Sequence, residues 1–166
     1  MLKRETVIVT PRLSLKPLSS KDARDVQRVT NHDQILNAIS FLPDEFTVED
    51  AASLISQFDD NNCYLGIWET QTTNLVGLFG VLRDAEKEVE VGYWIDVNCQ
   101  GCGFASEALS HTISRLKRDL PDFDIVAHCA PDNQISRHVL VKHGFRQSQE
   151  AAKRPGRERF DLVQLD

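Results

Sequence analysis

Apolar and polar positions along the chain change period several times, between the two-residue alternation of strands and the three-to-four-residue spacing of helices. ETVIVTPRLSLKPL (5–18) is rich in β-branched residues and then alternates at Leu13 and Leu15, which predicts a first strand with Pro11 at a bend or edge. Ser19 or Ser20 can cap a helix running to about Val29, with Ala23, Val26 and Val29 inward. A second helical piece is expected around 33–40, ended by Pro43. Thr47-Val-Glu-Asp50 has the form of a capping box, and Val48, Ala51, Ala52, Ile55 and Phe58 then fall on one helical face. Residues 63–69 and 75–83 read as a hairpin around the polar turn TQTTN.

The next strand, 88–97, places Val89, Val91, Tyr93, Ile95 and Val97 on one side and Glu88, Glu90, Trp94 and Asp96 on the other. A helix over 104–117 would bury Ala105, Ala108, Leu109, Thr112 and Leu116. A short strand at 124–129, a helix at 134–142 stopped by Gly144, and closing strands at 145–149 and 159–165 around an RPGR loop complete the pattern. Interleaved strands and helices without repeat or linker predict an α/β (α+β) fold in a single domain, 1–166.

Composition narrows the function classes. A net charge of −6 and a pI near 5.3 argue against a nucleic-acid binder, which carries a basic footprint. No apolar run approaches a membrane span, and MLKRETVIVT lacks the apolar core of a signal peptide, so a cytoplasmic setting with no membrane partner is expected. The four cysteines, Cys63, Cys99, Cys102 and Cys129, are then expected as free thiols.

The densest motif is VNCQGCGFASEAL (97–109). One reading is a strand-to-helix turn in which glycines relax the backbone. A second is an anion site, because the first-turn N–H groups of a helix lack intrahelical acceptors and the helix dipole favours negative charge there. A third is a thiol or zinc site at Cys99-Gln-Gly-Cys102, which would need two further ligands, from Cys129 and His128 or Cys63. The glycine spacing alone does not decide between them.

Gln100-Gly-Cys-Gly103-Phe-Ala105 resembles the Q/R-x-x-G-x-G/A signature of the GNAT superfamily of N-acetyltransferases. Gly92-Tyr93-Trp94-Ile95 and Ala105-Ser-Glu107-Ala108 are similar to its ribosomal-protein N-acetyltransferase branch, as are Asn133-Gln-Ile-Ser136, Lys142-His-Gly144-Phe145 and the opening Thr10-Pro-Arg12-Leu13-Ser-Leu15. The resemblance spans about residues 10–165. It implies a mixed, mostly antiparallel sheet that splays between the strands at 88–97 and 124–129, with acetyl-CoA as co-substrate in the split and no metal. The diphosphate would meet Gly101, Cys102, Gly103, Phe104, Ala105 and Ser106 beside Gln100. Pantetheine would pair along Tyr93, Trp94 and Ile95, with Asn133 opposite. The two cysteines of the motif become incidental loop side chains.

Acetyl transfer to an amine needs a base for the amine proton, donors for the oxyanion and an acid for the departing thiolate. Glu90 is the first choice of base, with Glu88 on the same face as the alternative; two neighbouring carboxylates are expected to raise one pKa. By resemblance the acid is Ser136, since Leu140 occupies the position where many family members carry tyrosine. The acceptor is a primary amine, a protein N-terminus or a small molecule, and the chain is a monomer or homodimer. A CoA-binding regulatory module with little catalysis, and a CxxC thiol or zinc protein, are the rival readings.

Overall fold

The computed structural model describes residues 6–59, 61–84 and 86–163. Eight strands form one sheet in the order β1-β2-β3-β4-β5-β6-β8-β7. The predicted first strand is two: β1 (Ile8–Val9) and β2 (Leu13–Pro17), antiparallel, with Pro11 in the turn between them. Proline has no N–H to give a ladder, and here it breaks the strand rather than bending it. Glu5, Gln164 and Leu165, included in the predicted end strands, lie outside the described residues.

A short 3-10 turn, Ser20–Asp22, leads into α1 (Ala23–Thr30), which buries Ala23, Val26 and Val29 as its spacing predicts. α2 (Asp33–Ala38) follows, and α3 (Val48–Ser56) opens on the expected box: the Thr47 hydroxyl accepts from Asp50 N at 3.1 Å, and Asp50 accepts from Thr47 N at 2.9 Å. The buried stripe of α3 is Ala51 and Leu54, with Ile55 half-buried; Val48 and Ala52, expected inside, face solvent. The hairpin of β3 (Asn62–Glu69) and β4 (Leu75–Arg83) forms around residues 70–74 as read from the sequence.

In β5 (Glu88–Ile95), Val89, Val91, Tyr93 and Ile95 pack toward α4 (Phe104–Asp119), while Trp94 packs toward α1 and α3. Val97 joins the Trp94 side instead of the Ile95 side. Extended alternation ends at Ile95, because the Asp96 carboxylate accepts from Asn98 N at 3.0 Å and turns the chain into a 3-10 turn. α4 buries Phe104 and Ile113 beyond the predicted set, and Ala105 stays half-buried. β6 (Asp124–Cys129), α5 (Gln134–Lys142), β7 (Phe145–Gln147) and β8 (Glu158–Leu162) finish the order, with Gly144 at φ +87° ending α5. Among the described residues, no helix is long and apolar enough to cross a membrane.

Candidate active site

β5 and β6 run parallel but pair only where Glu88–Glu90 meet Asp124–Val126. Past that point they diverge, opening a cleft of about 690 Å³ between Val91–Ile95 on one wall and Ala127–Ala130 on the other. The size suits a small-molecule ligand. Backbone parity decides what the β5 wall offers. Asp96 N bonds to Val76 O at 2.9 Å, and a Cβ placed on Gly77 would fall 2.3 Å from Trp94 O. Asp96 and Trp94 therefore direct their main chain at β4, so Val91, Tyr93 and Ile95 direct theirs at the cleft. Trp94, expected to pair through its backbone, contributes only a side chain. Ile95 O is already taken by Gln100 Nε2 at 3.1 Å, and Gln34 Nε2 donates to Gln100 Oε1 at 3.0 Å, tying α2 to the loop.

At the floor of the cleft the chain enters α4 through Gly101 (φ +77°) and Gly103 (φ +81°), both in the left-handed region where side chains are strained. Gly103 is the N-cap and has no side chain to cap with, so the first-turn N–H groups of α4 are left without intrahelical acceptors. A Cβ on Gly101 would meet nothing within 4 Å. The loop is held from behind. Glu107 accepts from Thr10 Oγ1 (2.5 Å), Arg12 N (2.8 Å) and Arg12 Nε (2.7 Å), while Arg12 Nη1 donates to Cys102 O at 2.9 Å. Burial alone would raise the Glu107 pKa, but the bonds from Thr10 and Arg12 outweigh it and hold the carboxyl below its usual range. The Phe104 ring is buried under the Arg12 guanidinium, so only its main chain is available to a ligand. Ser106 Oγ lies 2.7 Å from His143 Nε2, joining α4 to the end of α5.

All four cysteines are free thiols. Among the described residues, the one cluster with metal-ligand proximity is Asp84, Glu86 and Glu88, which includes no cysteine. That cluster already surrounds an ammonium: Lys153 Nζ lies 2.6, 2.7 and 2.7 Å from the three carboxylates. Among the described residues, no group of three such side chains that includes Cys99 or Cys102 has metal-ligand proximity.

The opposite end of the cleft is charged. Arg154 Nε donates to Glu90 Oε1 at 2.5 Å, and His128 Nδ1 lies 3.4 Å from the same oxygen. Glu88 is paired instead with Arg159 Nη2 at 2.6 Å and with Lys153. The expected rise in pKa of one of the two carboxyls does not appear, since both are lowered. For Glu90, burial favours the neutral acid, but the His128 and Arg154 contacts more than offset it and hold the pKa below its ordinary value. Glu88 is lowered too, with Arg159 and Lys153 outweighing burial. Beside this group, Phe41, Tyr64 and Trp94 form an aromatic wall with centroids 6.4–6.5 Å apart; Trp94 is fixed by its indole N–H to Thr30 Oγ1 at 2.9 Å.

Midway along the cleft, Ser136 N donates to the Asn133 side chain at 3.1 Å, making Asn133 the N-cap of α5. Ser136 Oγ lies 3.4 Å from Tyr93 Oη. Burial pushes the Tyr93 phenol up to about 12, against a smaller opposing effect of Ser136. Leu140 packs in the core, 2 % exposed. A tyrosine hydroxyl thus does reach this part of the cleft, from β5 rather than from α5. Sequence reasoning put Tyr93 here only for its main chain, took His128 only as a candidate zinc ligand, and did not single out Arg154 as a partner of Glu90. The signal for Arg154 was available in two oppositely charged runs, DAEKEVE (84–90) and KRPGRER (153–159), which the fold sets face to face.

The sheet is mixed, and its parallel pair separates beside a helix start preceded by two glycines. The family model of the acetyltransferase (GNAT) domain matches residues 12–146, and the chain belongs to that family. It is 28% identical over 146 residues to the uncharacterised N-acetyltransferase YoaA of Bacillus subtilis, covering 84% of this chain and 82% of that one. A segment of 73 residues is 33% identical to the ribosomal-protein-serine acetyltransferase of Escherichia coli, covering 43% of this chain and 41% of that one. Among solved structures, the Microcin C7 self-immunity acetyltransferase MccE, in complex with acetyl-CoA and AMP, superposes with a TM-score of 0.79 at 22% identity over 98% of both chains.

Proposed function

We propose that the protein transfers acetyl from acetyl-CoA to a primary α-amine, a protein N-terminus or a small molecule, by direct attack in a ternary complex. The observation that carries this is the split itself: the cleft-facing carbonyl of Val91 and main chain of Tyr93 offer a pairing edge that leads from the unsatisfied N–H groups of α4 toward Glu90. In this reading the diphosphate lies on Gly101–Ser106, where the positive end of a 16-residue helix favours it. Pantetheine pairs with Val91 and Tyr93, with Asn133 and Ser136 across the gap.

The chemistry follows from the pKa directions. A carboxylate held below its usual range cannot pull a proton from an alkylammonium of pKa about 10.4, but an α-amine of about 8 arrives roughly one-tenth neutral at pH 7. Glu90 then takes the proton once attack on the thioester has made the nitrogen acidic. The departing thiolate, near 8.5 by its nature, needs a hydrogen bond rather than a full proton from Ser136 or the Tyr93 phenol, both weaker acids than it is. A tyrosine at position 140 is therefore not required. The likeness to a ribosomal-protein-serine acetyltransferase supports a protein as acceptor.

An acetyl-CoA-dependent screen of free N-terminal peptides and small amines, read as CoA release, tests this. Turnover with α-amines is expected. Saturable acetyl-CoA binding with no turnover across the panel would instead favour a CoA-responsive binding module.

A further inference from the structure

The environment of Glu90 is asymmetric in a way the acetyl-transfer reading does not by itself explain. Both of its close partners, Arg154 Nε and His128 Nδ1, lie against Oε1. Among the described residues, no hydrogen bond reaches Oε2, although the side chain is 21% exposed and lines the cleft. His128 has the opposite character. Its side chain is 1% exposed, and Nδ1 has no partner other than Glu90 Oε1, which it faces at 3.4 Å without closing a hydrogen bond. A buried imidazole nitrogen without a partner is costly, and here it is aimed at one carboxylate oxygen.

The tautomer of this ring is determined by its other side. Lys153 N, a main-chain donor, lies 3.3 Å from His128 Nε2. A backbone N–H can only donate, so Nε2 accepts, and in the neutral ring the proton resides on Nδ1, toward Glu90. Lys153 is itself anchored by its ammonium among Asp84, Glu86 and Glu88. One residue of the loop at 148–157 thus connects the β4–β5 turn, through the His128 ring, to the inner oxygen of Glu90, and the next residue, Arg154, bonds that same oxygen.

The geometry points to His128 as a positioning residue for Glu90: with Nδ1–H set by the main chain of Lys153, it and Arg154 hold Oε1 so that Oε2 alone faces the acceptor nitrogen and receives its proton. The inference rests on the reading of Glu90 as the base. The bond from Nδ1 shortens when the acceptor fills the cleft, as catalytic hydrogen bonds commonly do. The charged and titratable groups around Glu90 are Glu88 on its own strand, His128 on β6, Lys153 and Arg154 on the loop, Arg159 on β8 and Tyr64 on β3.

Two amide substitutions separate positioning from packing. An Asn side chain places its N–H near the position of Nδ1, whereas Gln places it near Nε2. The test combines steady-state kinetics with ¹³C titration of the Glu90 carboxyl, its signal assigned by loss in Glu90→Gln. His128→Gln is expected to lower kcat about tenfold or more with an unchanged KM for acetyl-CoA, and to move the Glu90 midpoint upward. His128→Asn is expected to restore most of kcat and the wild-type midpoint. The inference is overturned if the midpoint is the same in all three proteins, or if Asn and Gln variants lose kcat equally. Because the carboxyl titration needs no turnover, it reads the His128–Glu90 pairing even if the wild-type protein acetylates no amine, an outcome that would reject acetyl transfer on its own.

Discussion

At the scale of residues, the site works by arrangement rather than by one strongly perturbed acid or base. Glu90 is a carboxylate made more anionic by Arg154 and His128, and Tyr93 is a phenol made less acidic by burial. Neither exchanges a proton readily with a free alkylammonium at neutral pH, so the ionisation of the acceptor should govern the rate. We predict that kcat/KM for a peptide N-terminus rises with pH through a midpoint near 8, and that an alkylamine acceptor moves that midpoint toward about 10. A pH–rate profile that keeps its midpoint when the acceptor changes would contradict this. Gly103 shows what one sequence can give at this scale. Its place before a helix was legible, and its φ of +81° follows from the turn it makes. The partners of Glu90 were not legible, because His128 and Arg154 come from β6 and a loop more than 35 residues away, and only the closed sheet brings them to one oxygen.

At the scale of elements, local signals were reliable where local physics sets the outcome. The Thr47–Asp50 box, the 70–74 turn and the alternation of β5 as far as Ile95 are all short-range features, and each appears at its expected place. The stripe of α3 centres on Leu54 because packing against α1, not the helix's own pattern, selects the buried face. Likewise Val97 changes sides because a single carboxylate, Asp96, ends the strand. The loop at 148–157 is the element whose role depends most on tertiary contacts. Lys153→Gln removes its ammonium from three carboxylates while keeping the main-chain donor to His128. We predict faster amide hydrogen exchange across 148–157 and a several-fold fall in kcat that high salt reproduces in the wild type. Unchanged exchange in the variant would show that the ion cluster does not hold the loop.

At the scale of the whole molecule, titration of buried groups sets the pH range of stability. His143 has its pKa lowered from 6.5, by burial first and by Lys142 second. Its folded pKa lies below its unfolded one, so this contribution is complete above pH 6.5 and is lost as pH falls below it. The depressed carboxylates Glu88, Glu90 and Glu107 act in the same sense, but only below their unfolded value of 4.5. On the alkaline side, burial raises Cys63 from 9.0 to about 12 and Tyr93 from 10.0 to about 12, so their contributions are present below those unfolded values and are lost as pH climbs toward 12. We predict a thermal midpoint that is flat between about pH 6.5 and 9 and falls on both sides, the first acidic step being reduced in His143→Gln. A midpoint that rises below pH 6.5 would reverse the sign assigned to His143.

The fold class and the order of elements were readable because alternating periods and turn residues repeat along the chain. The splay was reached through a family resemblance, since nothing within 88–97 or 124–129 alone states that two parallel strands part after three residues. That splay carries the functional account, and it can be tested without any mutation. Titration of the ¹⁵N-labelled protein with acetyl-CoA, followed through its amide resonances, should give saturable shifts at Gly101 through Ser106 and at Val91 and Tyr93. Shifts confined to other surfaces, or none at millimolar acetyl-CoA, would contradict it.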